Sequence, residues 1–350
     1  MNLPELALIP ALAPADVLVL GLAEAAGEPV VVGAPDALEA EFAGRFGATI
    51  AALAAQVGAA PKPGSTAVLP GPSGPVVITG LGEADVTPDR VRRAAANGVR
   101  RALDANGDKS VAVSISLDAY EPEILAAAAE GALLGAYRFD KLGTGKAEAS
   151  ASRIALVGPA EATDAVAAAR ITAEAVCLAR DWVNTPANVL YPESFAQAAR
   201  AVLKGLRVDV EVLDEKDLAK GGFGGILAVG GGSARPPRLV TVTWAPKGAT
   251  SHLVLVGKGL TFDTGGLNLK PAEGMITMKM DMGGAAAVLA AVRAIAQLGL
   301  PVKVTALAGM AENMPSGSAQ RPSDVLTMYG GTTVENFNSD AEGRLVLADA

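Results

Sequence analysis

Acidic and basic residues that could support chemistry are concentrated in two short segments, 256–284 and 338–344. The first reads VGKGLTFDTGGLNLKPAEGMITMKMDMGG and the second reads NSDAEGR. Glycines and apolar runs bracket these charges, whereas a solvated helix face would scatter them. Most of them follow a strand-like apolar run, the usual place for an α/β active site. The candidate side chains are those of Lys258, Asp263, Lys270, Asp281, Asp340, Glu342 and Arg344.

Four carboxylates in this pattern suit a two-metal hydrolase. Two divalent cations about 3.5–4 Å apart need carboxylates that bridge them, and they hold a water or hydroxide between them. The chain has one histidine, His252, and one cysteine, Cys177, so a zinc site of imidazoles or thiolates cannot be built. Carboxylate oxygens suit Mn²⁺, Mg²⁺ or Zn²⁺. A lysine is a ligand only when neutral, and an adjacent cation favours its deprotonation.

In these segments the sequence resembles the leucyl (cytosol) aminopeptidases, dinuclear metallopeptidases that remove N-terminal residues from peptides. The stretches FDTGG and NSDAEGRL carry the resemblance, together with the lysines at 258 and 270. Ser339 stands where the family's signature usually has Thr, a change that keeps the hydroxyl. The resemblance covers most of 179–350 and is weaker before it. The further segments that extend it are 179–196, 224–240 and 312–331.

The resemblance implies a role for each candidate position. Asp263 and Glu342 would contact both metal ions. Lys270 matches a lysine that polarises the scissile carbonyl, and Arg344 matches an arginine that holds a bicarbonate acting as proton shuttle. Met278 matches a residue that lines the pocket for the substrate side chain. The residues that match the family's metal ligands are Lys258, Asp263, Asp281, Asp340 and Glu342.

Each motif taken alone has an ordinary structural interpretation. Acids at 340 and 342 are typical of turns, the tetrapeptide at 263–266 fits a turn, and a lone lysine is usually a solvated cation. Short motifs give many false matches, so the joint pattern is what favours the family. The alternative from another class is a catalytically inactive fragment, or a binding or assembly protein that keeps the metal loops.

Composition excludes several other classes of function. The net charge of −8 argues against a nucleic-acid partner, because phosphate binding needs clustered Lys and Arg. A single cysteine excludes an intrachain disulfide and suits a reducing cytosol. The N-terminal 20 residues lack a basic start and contain three prolines, which is atypical of a signal peptide. We also expect no membrane span, since no charge-free apolar stretch reaches about 18 residues. The prediction is a cytoplasmic protein.

The pattern of apolar runs and Ala-rich helical stretches predicts an α/β protein with two domains. Each domain is expected to contain a mainly parallel or mixed sheet flanked by helices. We place an N-terminal α/β domain at 1–158, and a linker helix with the metallopeptidase domain at 159–350. Helices predicted in the first half cover 37–56, 87–105, 122–137 and 160–183. Strands predicted in the second half cover 208–213, 226–229, 239–244, 253–256 and 302–308.

The chain ends inside an apparent helix, and family members continue well beyond this point. We therefore expect the C-terminal part of the catalytic domain to be missing. The function implied is metal-dependent hydrolysis of N-terminal, leucine-like residues from peptides through a two-metal-activated water. The cofactors implied are two divalent ions per subunit, Mn²⁺ or Zn²⁺ with Mg²⁺ as a third candidate, and a bicarbonate at Arg344. The full-length protein is expected to form homo-hexamers.

Overall fold

The described residues form two compact units, one within 1–174 and the other within 175–350. The division lies inside a long helix, Thr163–Asn184. The sequence-based boundary near 158 precedes that helix and stays a prediction. The residues that the computed structural model describes are 3–83, 86–107, 110–144 and 150–350.

The described part of the first unit contains a seven-stranded sheet. In chain order the strands are β1 (Glu5–Ile9), β2 (Val17–Ala25), β3 (Glu28–Val32), β4 (Thr66–Pro70), β5 (Pro75–Glu83), β6 (Ser110–Ser116) and β7 (Ser150–Val157). The strands lie in the order β1-β7-β6-β2-β5-β4, and β3 pairs with the end of β2, from Gly21 to Ala25. Strands β3 and β4 run antiparallel to their neighbours, and the other pairs are parallel.

Helices accompany this sheet in the pattern expected of an α/β unit. The single helix predicted over 37–56 is wrong, because Gly47 adopts a left-handed conformation with φ 68° and ends the first helix. Thr49 then caps the second helix by accepting a hydrogen bond from Ala52 N. The helices are α1 (Asp36–Phe46), α2 (Ile50–Gln56), α3 (Pro88–Asn106), α4 (Pro122–Gly135) and α5 (Thr163–Asn184).

The second unit contains a four-stranded mixed sheet and a separate hairpin. The strands are β8 (Val208–Leu213), β9 (Arg238–Trp244), β10 (His252–Asp263), β11 (Lys303–Asn313), β12 (Asp324–Thr327) and β13 (Thr333–Asn336). The sheet order is β10-β11-β9-β8, in which only β10 and β11 are parallel. The hairpin pairs β12 with β13. These sheets confirm the predicted α/β class with mixed sheets.

One apolar run in the second unit is helical where the sequence predicts a strand over 226–229. Burial there follows helical spacing, with Ile226 and Val229 facing the core and Leu227 between them only half-buried. The pattern of a short apolar run does not distinguish a helix from a strand, so packing against the core determines which one forms. The helices are α6 (Pro192–Leu203), α7 (Glu215–Gly221), α8 (Gly224–Gly230), α9 (Ala272–Met275), α10 (Gly283–Leu298) and α11 (Glu342–Asp349).

The stretch Ala272–Leu298 has the length and hydropathy of a membrane span. Within it, however, only α10 is a long helix, and its 16 residues fall short of the ~20 that cross a bilayer. Its residues Leu289 and Val292 are fully buried. We therefore interpret α10 as a core helix of the second unit.

Strands β10 and β11 position the charged segments. They run parallel, so both end at the same edge of the sheet. Their last residues, Asp263 and Asn313, are register partners. The loop after β10 contains Lys270 and leads through a 3₁₀ turn to Asp281 and α10. A second 3₁₀ turn, Ser339–Ala341, leads into α11.

Candidate metal centre

A bulge in β10 brings two of the predicted ligands to the same side. Positions 258 and 263 differ by an odd number, so a regular strand would direct Lys258 and Asp263 to opposite faces. The register against β11 shifts between Leu260 and Phe262, and such an irregularity reverses the alternation beyond it. Both side chains consequently reach Glu342. Lys258 Nζ lies 2.8 Å from Glu342 Oε1, and carboxylate oxygens of Asp263 and Glu342 lie within 4.8 Å.

The Lys258 ammonium lies between two carboxylates from other segments. Its Nζ is 2.8 Å from Asp281 Oδ2 and 2.8 Å from Glu342 Oε1. Burial lowers the pKa of Lys258, but hydrogen bonds and attraction from the two carboxylates outweigh it and raise the pKa above its ordinary value. Burial raises the pKa of Asp281, against the opposing effect of Lys258. Lys258 therefore balances part of the negative charge of these two carboxylates.

Lys270 forms a second pairing of the same kind. Its Nζ lies 2.9 Å from Asp263 Oδ2 and also contacts Asp340 Oδ1. Burial lowers the pKa of Lys270, whereas hydrogen bonds to the two carboxylates raise it by more, so the pKa lies well above its ordinary value. The two lysines thus hold the four carboxylates in two adjacent pairs.

Three carboxylates converge closely enough to share a cation. Asp263, Asp340 and Glu342 each offer an oxygen, and these oxygens lie within 4.8 Å of one another. Glu342 is only 1% exposed, and its Oε2 has no hydrogen-bond partner among the described residues. Carboxylates at this spacing repel each other, and an unpaired buried oxygen such as Glu342 Oε2 is costly. A divalent cation relieves both penalties, so the donor set fits the ions that the resemblance implies.

The turn after β10 is built on two glycines. Asp263 Oδ1 accepts a hydrogen bond from Gly265 N at 2.9 Å, and Thr264 Oγ1 accepts one from Gly266 N at 3.1 Å. Gly265 and Gly266 have φ of 85° and 64°, a region that strongly favours glycine. A side chain at Gly266 would also meet Asn313 Oδ1 at 2.8 Å. The turn thereby fixes the orientation of the Asp263 carboxylate.

A reciprocal pair of hydrogen bonds fastens the two charged segments to each other. Ser339 N donates to Asn268 Oδ1 at 2.9 Å, and Asn268 N donates to Ser339 Oγ at 2.9 Å. The Ser339 hydroxyl also lies 2.7 Å from Gly265 O, to which it donates. This clasp holds Asp340 beside Lys270. It uses the hydroxyl that Ser339 shares with threonine.

Sequence reasoning did not identify Asn313, although it lies among these groups. It is 1% exposed and donates to Asp263 Oδ1 at 2.8 Å. The available signal was its position, since a polar residue ends the apolar strand β11 as Asp263 ends β10. The clasp between Asn268 and Ser339 had no comparable signal.

The two remaining predicted residues lie at the borders of the acid cluster. Met278 begins the 3₁₀ turn that precedes Asp281 and is half-buried. Arg344 is exposed on the first turn of α11, two positions after Glu342. Their predicted roles toward substrate and bicarbonate stay predictions.

Comparison with known proteins agrees with the geometry of the site. Residues 177–350 match the family model of the cytosol aminopeptidase catalytic domain, and residues 30–146 match the model of that family's N-terminal domain. The chain belongs to the cytosol aminopeptidase family. The probable cytosol aminopeptidases of Cutibacterium acnes and Micrococcus luteus are 52% and 47% identical to it. Each alignment covers 96% of this chain, and 66% and 67% of those proteins.

The chain thus spans about two thirds of the length of the curated cytosol aminopeptidases that it matches. The chain also aligns with about two thirds of the length of similar solved structures. The bottromycin maturation enzyme BotP in complex with Mn superposes with a TM-score of 0.80 at 37% identity, over 96% of this chain and 68% of that one. A tomato leucine aminopeptidase mutant gives 0.83 at 25% identity, over 99% and 70%.

Proposed function

We propose that this protein is a metal-dependent aminopeptidase that hydrolyses N-terminal residues, leucine-like ones preferred, from peptides. The convergence of five potential ligands from separate segments carries the proposal. Scattered surface charges would not be mutually paired and partly buried in this way. Membership of the cytosol aminopeptidase family supports the same activity. The proposed ligands are Lys258, Asp263, Asp281, Asp340 and Glu342.

Glu342 and Asp263 are the ligands proposed to contact both ions. The surroundings of Glu342 favour this role most. Its carboxylate pairs with Lys258, and one of its oxygens lies within 4.8 Å of oxygens of Asp263 and Asp340. Mn²⁺ or Zn²⁺ are the favoured ions, with Mg²⁺ as a third candidate. When bound, such ions supply Lewis-acid activation of a water and of the peptide carbonyl.

The remaining residues act on the substrate itself. Lys270 supplies a positive charge that polarises the scissile carbonyl and stabilises the developing oxyanion. Arg344 presents a guanidinium at the N-terminal turn of α11, where the helix dipole also favours an anion, and so suits a bicarbonate. Met278 offers an apolar, adaptable side chain for a leucine-like residue.

The proposed setting is a cytoplasmic homo-hexamer. The names of the curated relatives, probable cytosol aminopeptidases, support the compartment. Light scattering on the purified full-length protein tests the assembly, since a hexamer has six times the mass of a monomer.

Hydrolysis of leucine p-nitroanilide by the purified full-length protein tests the activity, because the chain spans about two thirds of the length of its relatives. We expect turnover with added Mn²⁺, loss after EDTA treatment, and recovery when Mn²⁺ is restored. A matched Glu342→Ala preparation controls for contaminating peptidases. Full activity in a verified metal-free sample contradicts metal dependence. Metal binding without turnover instead supports the binding or assembly alternative.

A further inference from the structure

Asn313 occupies a position from which one side chain reaches both charged segments. It is the last residue of β11, pairs in register with Asp263, and is 1% exposed. Its main-chain carbonyl accepts hydrogen bonds from Thr264 N at 3.0 Å and Thr264 Oγ1 at 2.8 Å. The backbone at Asn313 is therefore tied to the turn that follows β10.

The carboxamide nitrogen of Asn313 donates one hydrogen bond to each charged segment, 256–284 and 338–344. Nδ2 donates to Asp263 Oδ1 at 2.8 Å and to the main-chain oxygen of Ser339 at 2.9 Å. Both partners are acceptors only, so the amide orientation is forced by chemistry. Its Oδ1 lies over Gly266, where a Cβ would be 2.8 Å away. One amide thus fixes the separation between Asp263 and the residue preceding Asp340.

The same amide binds only one of the two Asp263 oxygens, and the other faces Lys270. Asp263 Oδ1 accepts from Asn313 Nδ2 and from Gly265 N, whereas Oδ2 faces Lys270 Nζ at 2.9 Å. A carboxylate pinned through one oxygen presents the other in a defined direction. Outer hydrogen-bond partners of this kind orient the groups that bind a metal.

We propose that Asn313 is a positioning residue that sets the geometry of the divalent-cation site by joining Asp263 to the Ser339–Glu342 segment. This inference rests on the proposed function for the identity of the ligand, and on the hydrogen bonds alone for the positioning. Aspartate, of the same size, would place a carboxylate against both acceptors. Alanine at this position would remove the hydrogen bonds to the main-chain oxygen of Ser339 and to Asp263 Oδ1.

The first test measures positioning without metal. Hydrogen–deuterium exchange of EDTA-treated full-length chain is compared for the unaltered protein, Asn313→Ala and the control Thr243→Val. The control removes a partly buried hydroxyl of β9 that lies 3.4 Å from Thr305 Oγ1, near the opposite end of β11 from Asn313. We expect exchange over 264–270 and 339–344 to accelerate about tenfold in Asn313→Ala, the effect of losing a charge-assisted hydrogen bond. Unchanged exchange, or equal acceleration in the control, overturns the inference.

The second test measures Mn²⁺ binding by EPR titration of the same proteins. We expect a roughly 10–100-fold loss of affinity in Asn313→Ala with a changed spectrum of bound Mn²⁺, and near-normal binding in Thr243→Val. Asn313→Asp serves as a second variant if the alanine protein does not fold, and altered binding is expected there too. Normal Mn²⁺ affinity in a folded Asn313 variant overturns the role. Absence of Mn²⁺ binding by the unaltered chain contradicts the proposed function and the metal part of this inference, while the exchange result decides the positioning separately.

Discussion

The side chain of Lys258 lies directly across the backbone of Gly343. A Cβ at Gly343 would stand 2.7 Å from Lys258 Cε and 3.0 Å from its Nζ. Such distances are shorter than any ordinary contact, so only glycine leaves room for the lysine between Asp281 and Glu342. The NSDAEGR segment thus supplies carboxylates and also the space that a neighbouring ligand needs.

Gly343→Ala is therefore expected to impair the site without unfolding the protein. The added methyl displaces the Lys258 head group, so Mn²⁺ affinity should fall about tenfold or more, as for other disturbed metal-site supports. Replacing a helical glycine gains up to ~1 kcal/mol, so thermal stability in EDTA should hold or rise. Gly274→Ala, with no atom within 4 Å of the added Cβ, is the control. Unchanged affinity in Gly343→Ala would contradict the steric argument.

Glu342→Ala and Lys270→Ala should separate metal binding from chemistry. Glu342 belongs to the acid cluster and pairs with Lys258, so its loss is expected to abolish turnover and lower metal content. Lys270→Ala should retain metal and lose ~10²–10³ in turnover, the usual effect of removing one oxyanion donor. Elemental analysis and leucine p-nitroanilide kinetics check both. Equal metal loss in the two variants would refute the division of roles.

Asp349 is predicted to stabilise the second unit through its buried carboxylate. Its Oδ2 accepts from Ile226 N at 2.8 Å, near the start of α8, and its Oδ1 accepts from Tyr329 N at 2.9 Å. Asp349→Ala leaves two backbone N–H groups unpaired, and should cost roughly 2–5 kcal/mol. Urea unfolding measures the loss, with the exposed Asp209→Ala as control. A cost no larger than that of the control would disprove the anchoring role.

Alanine substitutions at two helical glycines of the first unit are expected to change the stability of the protein in opposite directions. A Cβ at Gly131 in α4 would lie 2.0 Å from Arg92 O of α3, whereas one at Gly44 in α1 meets nothing within 4 Å. Gly131→Ala should force α3 and α4 apart and cost about 1–3 kcal/mol. Gly44→Ala should stabilise by about 0.5–1 kcal/mol, because alanine loses less backbone entropy. Thermal unfolding of the two variants provides the comparison, and a shift of the same sign in both would contradict it.

Much of the fold follows from local patterns. The strand predicted over 208–213 coincides with β8, and that over 239–244 differs from β9 by one residue. Alternating apolar residues specify such strands whatever surrounds them. The run at 226–229 became part of α8 because its four apolar residues fit either periodicity, and burial of Ile226 and Val229 against the core selects the helix.

The sequence by itself determined which chemistry is available: four carboxylates and two lysines beside strand ends, without the histidines or cysteines of other metal sites. Residue type and local spacing suffice for that inference. Only the tertiary structure decided which groups meet. The bulge in β10, the clasp between Asn268 and Ser339, and the Asn313 amide depend on partners distant in the chain, and Asn313 follows Asp263 by 50 positions. Hydrogen bonds across such separations form only when packing brings strand ends together, and no local pattern encodes them.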